Sequence, residues 1–274
     1  MQESPRPVGA LLREWRQRRR ISQLELALEA EVSPKHVSFV ETGRAQPSRE
    51  MILRFAEQLQ VPLRERNVLL NAGGYAPVFR ERPLDDRALA AARAAVDLVL
   101  RGHEPYPAIA VDRHWTLVAS NAAVAPLLEG IDPALLTAPV NVLRLSLHPK
   151  GLAPRIVNMV EWRTHVLDRL RRQVEVTADR VLDGLLRELR DYPCVSAPEA
   201  GAAGPVRDYA GVVVPLELRT NTGVLAFFST TTVFGTPLDI TLSELAVESF
   251  FPADAATAEA LRGAAPTQSS ADQR

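Results

Sequence analysis

Apolar residues recur at helical spacing through the first 72 positions of the chain. One stripe holds Leu11, Leu12 and Trp15, and a later one holds Met51, Ile52, Phe55, Ala56 and Leu59. Ser22 with Glu25 forms a capping box, and Ser33 before Pro34 marks a second helix start. Gly43 suits the end of that second helix. The pattern therefore predicts two short helices joined by a tight turn, with a further helix after a loop that contains Gly43.

The pattern changes after a segment rich in Gly and Pro at residues 71–83. A helix is predicted over about 85–101, with Gly102 as its stop. Two short apolar runs, 107–111 and 116–120, follow it and predict a hairpin. Residues 121–128 then have the pattern of a short helix.

The second half of the chain mixes helical and strand patterns. Helices are predicted over 154–174 and 178–190, and a loop over 191–205. Two strands, 212–218 and 224–232, follow as a second hairpin, and the pair Thr241 and Glu244 predicts a final capped helix. The tail from 253 has few large apolar residues and is expected to be disordered. Four strands with covering helices predict an α+β domain with one antiparallel sheet.

The helix that begins at Pro34 has two chemically different faces. At about 100° per residue, Val37 and Val40 fall together on the core side. The outward face carries Lys35, Ser38 and Phe39, with His36 at its edge. A cation, a hydroxyl and an apolar ring suit the edges of bases in the major groove, although Phe39 is also a candidate core residue.

Two further residues are candidates for contacts to the nucleic-acid backbone. Gln23 lies in the first turn of the preceding helix, where free N–H groups suit a phosphate. Arg44 lies in the following loop. The predicted DNA-binding residues are therefore Gln23, Lys35, His36, Ser38, Phe39 and Arg44.

Residues 8–72 resemble the phage-repressor, or xenobiotic-response-element, helix-turn-helix family. The matching stretches are Ser22-Gln23-x-Glu25-Leu26-Ala27, Val32-Ser33, Val37-Ser38, Glu41-x-Gly43-Arg44 and Pro47-Ser48. The resemblance implies an all-α domain of five packed helices that binds a double-stranded DNA operator. Glu31 departs from the family, which usually has Gly in the turn, and a left-handed non-Gly residue there costs on the order of 1 kcal/mol. Some domains of this shape serve only as protein–protein modules, and that alternative stays open.

Charge is spread unevenly between the two parts of the chain. The whole sequence has a net charge of −1 at 274 residues. Residues 1–80 hold 13 Lys and Arg against 9 Asp and Glu, and the remainder holds 19 against 24. A basic N-terminal part followed by an acidic remainder indicates that the DNA contact is confined to the N-terminal domain. Because the surplus is small, we expect a homodimer to supply the affinity.

The composition argues against several other classes of protein. The single cysteine, Cys194, excludes an internal disulfide and a Cys-rich metal site, and a reducing cytoplasm is expected. No apolar run is long enough for a transmembrane helix, and the first residues lack a signal-peptide pattern. Glu161 and His165 lack the spacing of a zinc-protease motif, and no nucleophile elbow or nucleotide loop occurs. We therefore expect no enzyme, catalytic residue, metal, cofactor or membrane contact.

Residues 103–252 resemble the PAS-like ligand-binding domain of MmyB-like transcription regulators. The resemblance lies in Pro107-Ala-Ile-Ala-Val-Asp112, Trp115-x-Leu117-Val-Ala-x-Asn121, Asn141-Val-Leu-Arg-Leu145, the helix from Trp162 to Arg171 and Glu248-Ser-Phe-Phe-Pro252. It implies a sensor with an apolar cavity for a fatty acid or a similar ligand. The sequence departs from that family at the recognition helix, where His36-Val37-Ser38-Phe39 replaces a Tyr-Tyr pair.

Candidate ligand contacts follow from the apolar and cationic side chains of this region. The expected ligand-binding residues are Met159, Trp162 and Phe227 for the apolar part, and Arg163 or Arg171 for a polar end. Taken alone, an apolar side chain at such spacing more often fills a core, and an arginine more often faces solvent. Arg144 and His148 are further cations near the same region.

These features together predict a ligand-responsive transcription regulator. Its expected parts are a helix-turn-helix domain at 1–80, a connecting helix at 81–102, a PAS-like domain at 103–252 and a tail at 253–274. The alternative is a helix-turn-helix protein whose C-terminal domain binds a protein partner, as an antitoxin-like protein or a scaffold does. A deep apolar cavity favours the first hypothesis, and a broad exposed apolar patch favours the second.

Overall fold

The computed structural model describes residues 6–194, 214–234 and 239–264. The chain forms two compact units. The first contains the residues up to Pro83, together with Glu175–Ala178 and a short segment that ends at Ser243. The second contains most of the remainder. Among the described residues, no helix has both the length and the apolar character needed to cross a bilayer.

The first unit is built on five helices. They are α1 (Val8–Arg18), α2 (Gln23–Glu29), α3 (Pro34–Glu41), α4 (Arg49–Gln58) and α5 (Leu63–Ala72). Side chains from all five meet in one core, whose largest fully buried members are Phe55, Leu12, Leu26, Ile52, Leu59, Leu69 and Leu70. The all-α prediction for this part of the chain is confirmed.

Side-chain caps set the start of the three central helices. The Ser22 hydroxyl accepts from the Glu25 amide, and the Glu25 carboxylate accepts from the Ser22 amide, which completes the predicted capping box. Ser33 caps α3, with Pro34 in its first turn, and Ser48 caps α4. Between α2 and α3, Glu31 has a φ of 54°, so this non-glycine residue occupies the left-handed conformation that the family's usual Gly adopts without strain.

The second unit combines helices with a sheet. The helices that follow α5 in chain order are α6 (Ala90–Gly102), α7 (Val142–Leu147), α8 (Met159–Thr177), α9 (Arg180–Asp191), α10 (Ile240–Ser243) and α11 (Ala255–Ala264). Of these, α10 belongs to the first unit. The stretch Ala122–Leu128, predicted as a short helix, is a 3₁₀ helix that contains Pro126. Residues 195–205 of the predicted loop lie outside the described residues.

The sheet has five strands, all antiparallel. They are β1 (Ala108–Val111), β2 (Leu117–Ser120), β3 (Leu216–Thr220), β4 (Gly223–Val233) and β5 (Ala246–Pro252), in the spatial order β2-β1-β5-β4-β3. β5 joins the two hairpins, since it pairs with β1 through Ile109 and Glu248 and with β4 through Phe228 and Phe251. The α+β prediction with an antiparallel sheet is confirmed.

Two predicted features at the end of the chain were wrong. The helix predicted from Thr241 stops at Ser243, and the chain continues as β5. A strand forms there because β1 and β4 satisfy its backbone groups on both sides. Within the segment expected to be disordered from 253, residues 255–264 form α11, which packs Ala258 and Leu261 inward. Residues 265–274 lie outside the described residues.

Candidate nucleic-acid interface and ligand cavity

Helix α3 presents the residues that the sequence assigns to DNA reading. Its core side holds Val37 and Val40, each 1% exposed. Lys35 is exposed, whereas His36 and Ser38 are half-buried. The backbone amide of His36 donates to the Ser33 hydroxyl at 3.1 Å, so its position is tied to the start of the helix. The structure therefore confirms that Val37 and Val40 face the core and that Lys35 faces outward on α3.

Phe39 lies on the surface of the first unit with two cations beside its ring. It is half-buried and is not one of the residues of the core. The Lys35 ammonium lies 5.4 Å and the Arg44 guanidinium carbon 5.9 Å from the ring centroid. Lys35, Phe39 and Arg44 thus form one cationic and aromatic patch, which suits phosphates and bases together.

Glu41 ties three helices of the first unit to one another. Arg16 of α1 donates to both of its carboxylate oxygens, at 2.6 and 2.9 Å, and the Gln23 amide of α2 donates at 2.7 Å. The side chains of Arg16 and Glu41 are 11% and 2% exposed. The hydrogen bond to Glu41 raises the pKa of Arg16 above its usual value. Gln23 therefore supports the fold with part of its amide, a role that the sequence analysis did not assign to it.

The second unit contains a partly open cavity of about 130 Å³. Its walls come from the sheet, from α7 and α8 and from the 3₁₀ helix at 122–128. Apolar side chains form most of the lining. The apolar lining residues are Pro107, Ile109, Trp115, Leu117, Val124, Leu127, Leu128, Val142, Leu143, Leu145, Leu152, Trp162, Val166, Leu216, Leu218, Phe227 and Phe250. A cavity of this kind is the usual form of a small-molecule site.

The structure brings only some of the expected ligand contacts to this cavity. Trp162 and Phe227 line it. Met159 is 2% exposed and belongs to the surrounding core, but it is not part of the lining. Two of the three predicted apolar contacts, Trp162 and Phe227, therefore line the cavity.

The two arginines expected at the polar end lie elsewhere. Arg163 donates to the carbonyl oxygens of Arg190 at 2.7 Å and of Tyr192 at 3.3 Å, at the end of α9. Arg171 is exposed and pairs with Asp168 at 3.3 Å. Because neither lines the cavity, both assignments need correction. Arg144 likewise points to another partner, since it forms a bidentate pair with Glu188.

Arg169 and Glu248 form the charged end of the cavity, and the sequence analysis assigned neither to it. Arg169 Nη1 donates to Glu248 at 3.1 Å, and its Nη2 donates to the second carboxylate oxygen. The Thr231 hydroxyl accepts from Arg169 and donates to Glu248, at 2.8 Å in each case. Trp115 places its ring 4.6 Å from the guanidinium carbon of Arg169. The helix periodicity of α8 could have identified Arg169 as a cavity residue, since Arg169 follows Trp162 by seven residues and so lies on the same face of the helix.

Three neutral polar groups complete the lining. The Trp162 indole donates to the Ser146 hydroxyl at 2.9 Å, and its ring stacks on His165 at a centroid distance of 5.6 Å. Ser146 and His165 both line the cavity. Burial lowers the pKa of His165, and the positive charges of Arg169 and Arg172 lower it further. The imidazole is therefore neutral at physiological pH.

The described residues contain no cluster of His, Cys, Asp and Glu that would hold a metal ion. Cys194 is exposed. The chemistry available at the cavity is therefore apolar contact, hydrogen bonding and the charge of one ion pair.

Two family models match separate parts of the chain. Residues 12–66 match the helix-turn-helix family model, and residues 92–264 match the family model described as the MmyB-like transcription regulator ligand binding domain. No curated protein is similar enough to be matched. Among solved structures, the clp gene regulator ClgR from Corynebacterium glutamicum is 30% identical over 36% of this chain and 90% of its own, with a TM-score of 0.22. A helix-turn-helix unit followed by a ligand-binding domain of this type makes the chain a DNA-binding transcription regulator that belongs to the MmyB-like family.

Proposed function

We propose that this regulator binds its operator as a homodimer and that an apolar small molecule in the cavity changes its affinity for DNA. The observation that carries the proposal is the cavity of about 130 Å³ with its predominantly apolar lining. Its volume is close to the roughly 150 Å³ of an engineered apolar cavity that binds benzene. The cavity therefore suits a short chain or a single ring, and a medium-chain fatty acid is the first ligand class to test.

A protein partner is the competing explanation for the C-terminal unit. The exposed large apolar side chains of that unit, such as Leu98 on α6 and Val160 on α8, lie on different helices. A concave apolar cavity favours a small molecule, because a protein partner needs a broad surface area. We propose no catalytic step.

The first experiment asks whether the cavity binds a ligand. Trp115 and Trp162 line it, so their fluorescence reports on occupancy, whereas Trp15 lies in the core of the first unit. Medium-chain fatty acids and alcohols of the same chain length are titrated into the full chain while fluorescence and operator binding are followed. We expect saturable binding and a change in operator affinity of about five- to 150-fold, the usual range of allosteric coupling.

A matched pair of variants assigns the signal to the cavity. Leu117 of β2 lines the cavity, and its neighbour Val118 is 38% exposed, since successive side chains of a strand point to opposite faces. Leu117→Phe fills part of the space and weakens ligand binding, whereas Val118→Phe leaves it unchanged. Equal binding by both variants, or no binding by the wild-type protein, would overturn the proposal and favour the protein-partner hypothesis.

A further inference from the structure

At the polar end of the cavity, the positive charge of Arg169 is paired with the carboxylate of Glu248. Arg169 is the only cation among the lining residues that the structure describes, and both of its terminal nitrogens donate to Glu248. The Glu248 side chain is 5% exposed, and Thr231 bonds to both members of the pair. The positive charge that would attract an anionic ligand is therefore compensated inside the protein.

We infer that the cavity is selective for ligands with an uncharged head group, such as a medium-chain alcohol, amide or ketone, over the corresponding carboxylates. The inference deepens the proposed function, because it assumes that the cavity binds a small apolar molecule.

Electrostatics disfavours a carboxylate at this end of the cavity. A bound carboxylate would have to share Arg169 with Glu248, and two carboxylates beside one guanidinium repel each other. The charges of Arg169 and Glu248 both reach His165, since the first lowers and the second raises its pKa. A ligand head group near His165 is therefore within range of both charges, and an anion there gains little net attraction for the hydration that it loses.

The neutral groups of the lining offer what an uncharged head group needs. Ser146 is 9% exposed and accepts from the Trp162 indole, and among the described residues its own proton has no acceptor. The ring nitrogens of His165 also have no hydrogen-bond partner in the described part of the chain. A hydroxyl serves as donor and acceptor at once, and a neutral imidazole provides one donor and one acceptor. An alcohol or an amide thus finds complementary partners without a change in charge.

The decisive experiment compares ligands that share one chain and differ in the head group. Hexanol, hexanamide and hexanoic acid are titrated into the wild-type full chain at neutral pH, where the acid is ionised. We expect the two neutral ligands to bind at least about tenfold more tightly than hexanoic acid, because a buried charge without a partner is costly. Hexylamine, which carries the opposite charge, is expected to bind weakly as well.

A variant at Glu248 tests the cause of the selectivity. Glu248→Gln keeps the size of the side chain and one of its two acceptor oxygens, but it removes the negative charge that compensates Arg169. We expect hexanoic acid to gain at least about tenfold in affinity, with hexanol almost unchanged. If this variant fails to fold, the wild-type ligand series still decides the inference.

The possible outcomes separate this inference from the proposed function. Binding of hexanoic acid that equals or exceeds that of hexanol in the wild-type protein would overturn the inference and leave the proposed function intact. Failure of every ligand in the series to bind would overturn both. Tight binding of the neutral ligands, with weak binding of both charged ones, would support both.

Discussion

Lys35, Phe39 and Arg44 are the residues on which DNA recognition is expected to depend. The two cations lie within 6 Å of the same ring. Lys35 is on the outward face of α3, where a base contact is geometrically available, whereas Arg44 lies in the loop beyond the helix. The two cations are therefore expected to differ in what they recognise.

Substitution of these two cations distinguishes base reading from phosphate contact. Lys35→Ala is expected to weaken binding to the specific operator by about 1–3 kcal/mol, because a base contact is lost. Arg44→Ala is expected to weaken binding to all sequences alike, with a smaller salt dependence. Fluorescence anisotropy with operator and scrambled duplexes measures both. Unchanged operator affinity in both variants would show that the assigned recognition face is wrong.

Glu41 is the residue whose loss should harm the first unit most. The Glu41 carboxylate is buried and Arg16 is half-buried, so removal of Glu41 leaves the guanidinium of Arg16 without its partner in a poorly hydrated site. Glu41→Ala is expected to lower the free energy of unfolding by about 3–5 kcal/mol. Denaturant unfolding followed by the fluorescence of Trp15 measures the change.

An exposed glutamate in the same unit provides the control. Glu14 pairs with Arg6 and Arg18, but its side chain is 45% exposed. Glu14→Ala is expected to cost about 0–1 kcal/mol, since solvent screens the pair. A similar loss of stability in the two variants would contradict a special role for Glu41.

At the scale of elements, the turn between α2 and α3 carries a strained backbone position. Glu31 has a φ of 54° there, whereas Gly43, after α3, has a φ of 73°. A glycine adopts such a conformation without a steric penalty, and other residues do not. The helix-turn-helix therefore carries a strained position at its first turn and a relaxed one at its second.

Exchange of residue type at these two positions is expected to have opposite effects. Glu31→Gly should raise the free energy of unfolding by about 0.5–1 kcal/mol, because relief of strain exceeds the added chain entropy. Gly43→Ala should lower it by about 1 kcal/mol, although no atom obstructs the added Cβ. Thermal and denaturant unfolding of both variants measure these changes. A loss of stability in Glu31→Gly would show that the glutamate side chain compensates for its strained backbone.

The sheet shows how a single element organises the second unit. β5 pairs with β1 and β4, and it carries Glu248 and Phe250 to the cavity. The two hairpins, which are separated by about a hundred residues of chain, become one sheet through this strand. Its position also explains why the charged end of the cavity depends on residues distant in sequence.

Dimerisation is the prediction that belongs to the whole molecule. One helix-turn-helix unit contacts one half-site, and a dimer places two recognition helices about 34 Å apart along the duplex. We expect the sheet domain or α6 to supply the contact. α6 carries two adjacent exposed apolar side chains, Leu98 at 68% and Val99 at 44% exposure.

A charge on α6 tests this expectation. Leu98→Glu should convert the dimer to a monomer in light scattering at micromolar concentration and should weaken operator binding. Val160→Glu, on α8, is the control, because Val160 is 61% exposed on a different helix. A wild-type protein that is monomeric with and without operator DNA would refute the prediction.

The local sequence pattern was sufficient to predict many of the helices and hairpins of this protein, because such elements depend on residues that are close in sequence. Apolar spacing and the caps at Ser22, Ser33 and Ser48 were enough to predict α2, α3 and α4, and the structure has those contacts. The same local pattern placed Val37 and Val40 inward and Lys35 outward. These features form within about one or two helical turns, so they need no knowledge of the rest of the fold.

Tertiary structure alone decided the features that join distant parts of the chain. β5 became a strand, against its helical capping pattern, because two partners were available to bond both of its edges. Arg169, rather than Arg163 or Arg171, reached the cavity because Glu248, 79 residues away, lies opposite its turn of α8. The helix-turn-helix unit was thus determined by the sequence within short windows. The chemistry of the cavity was determined by long-range packing, since its polar groups come from α7, α8 and β5, which meet only in the folded protein.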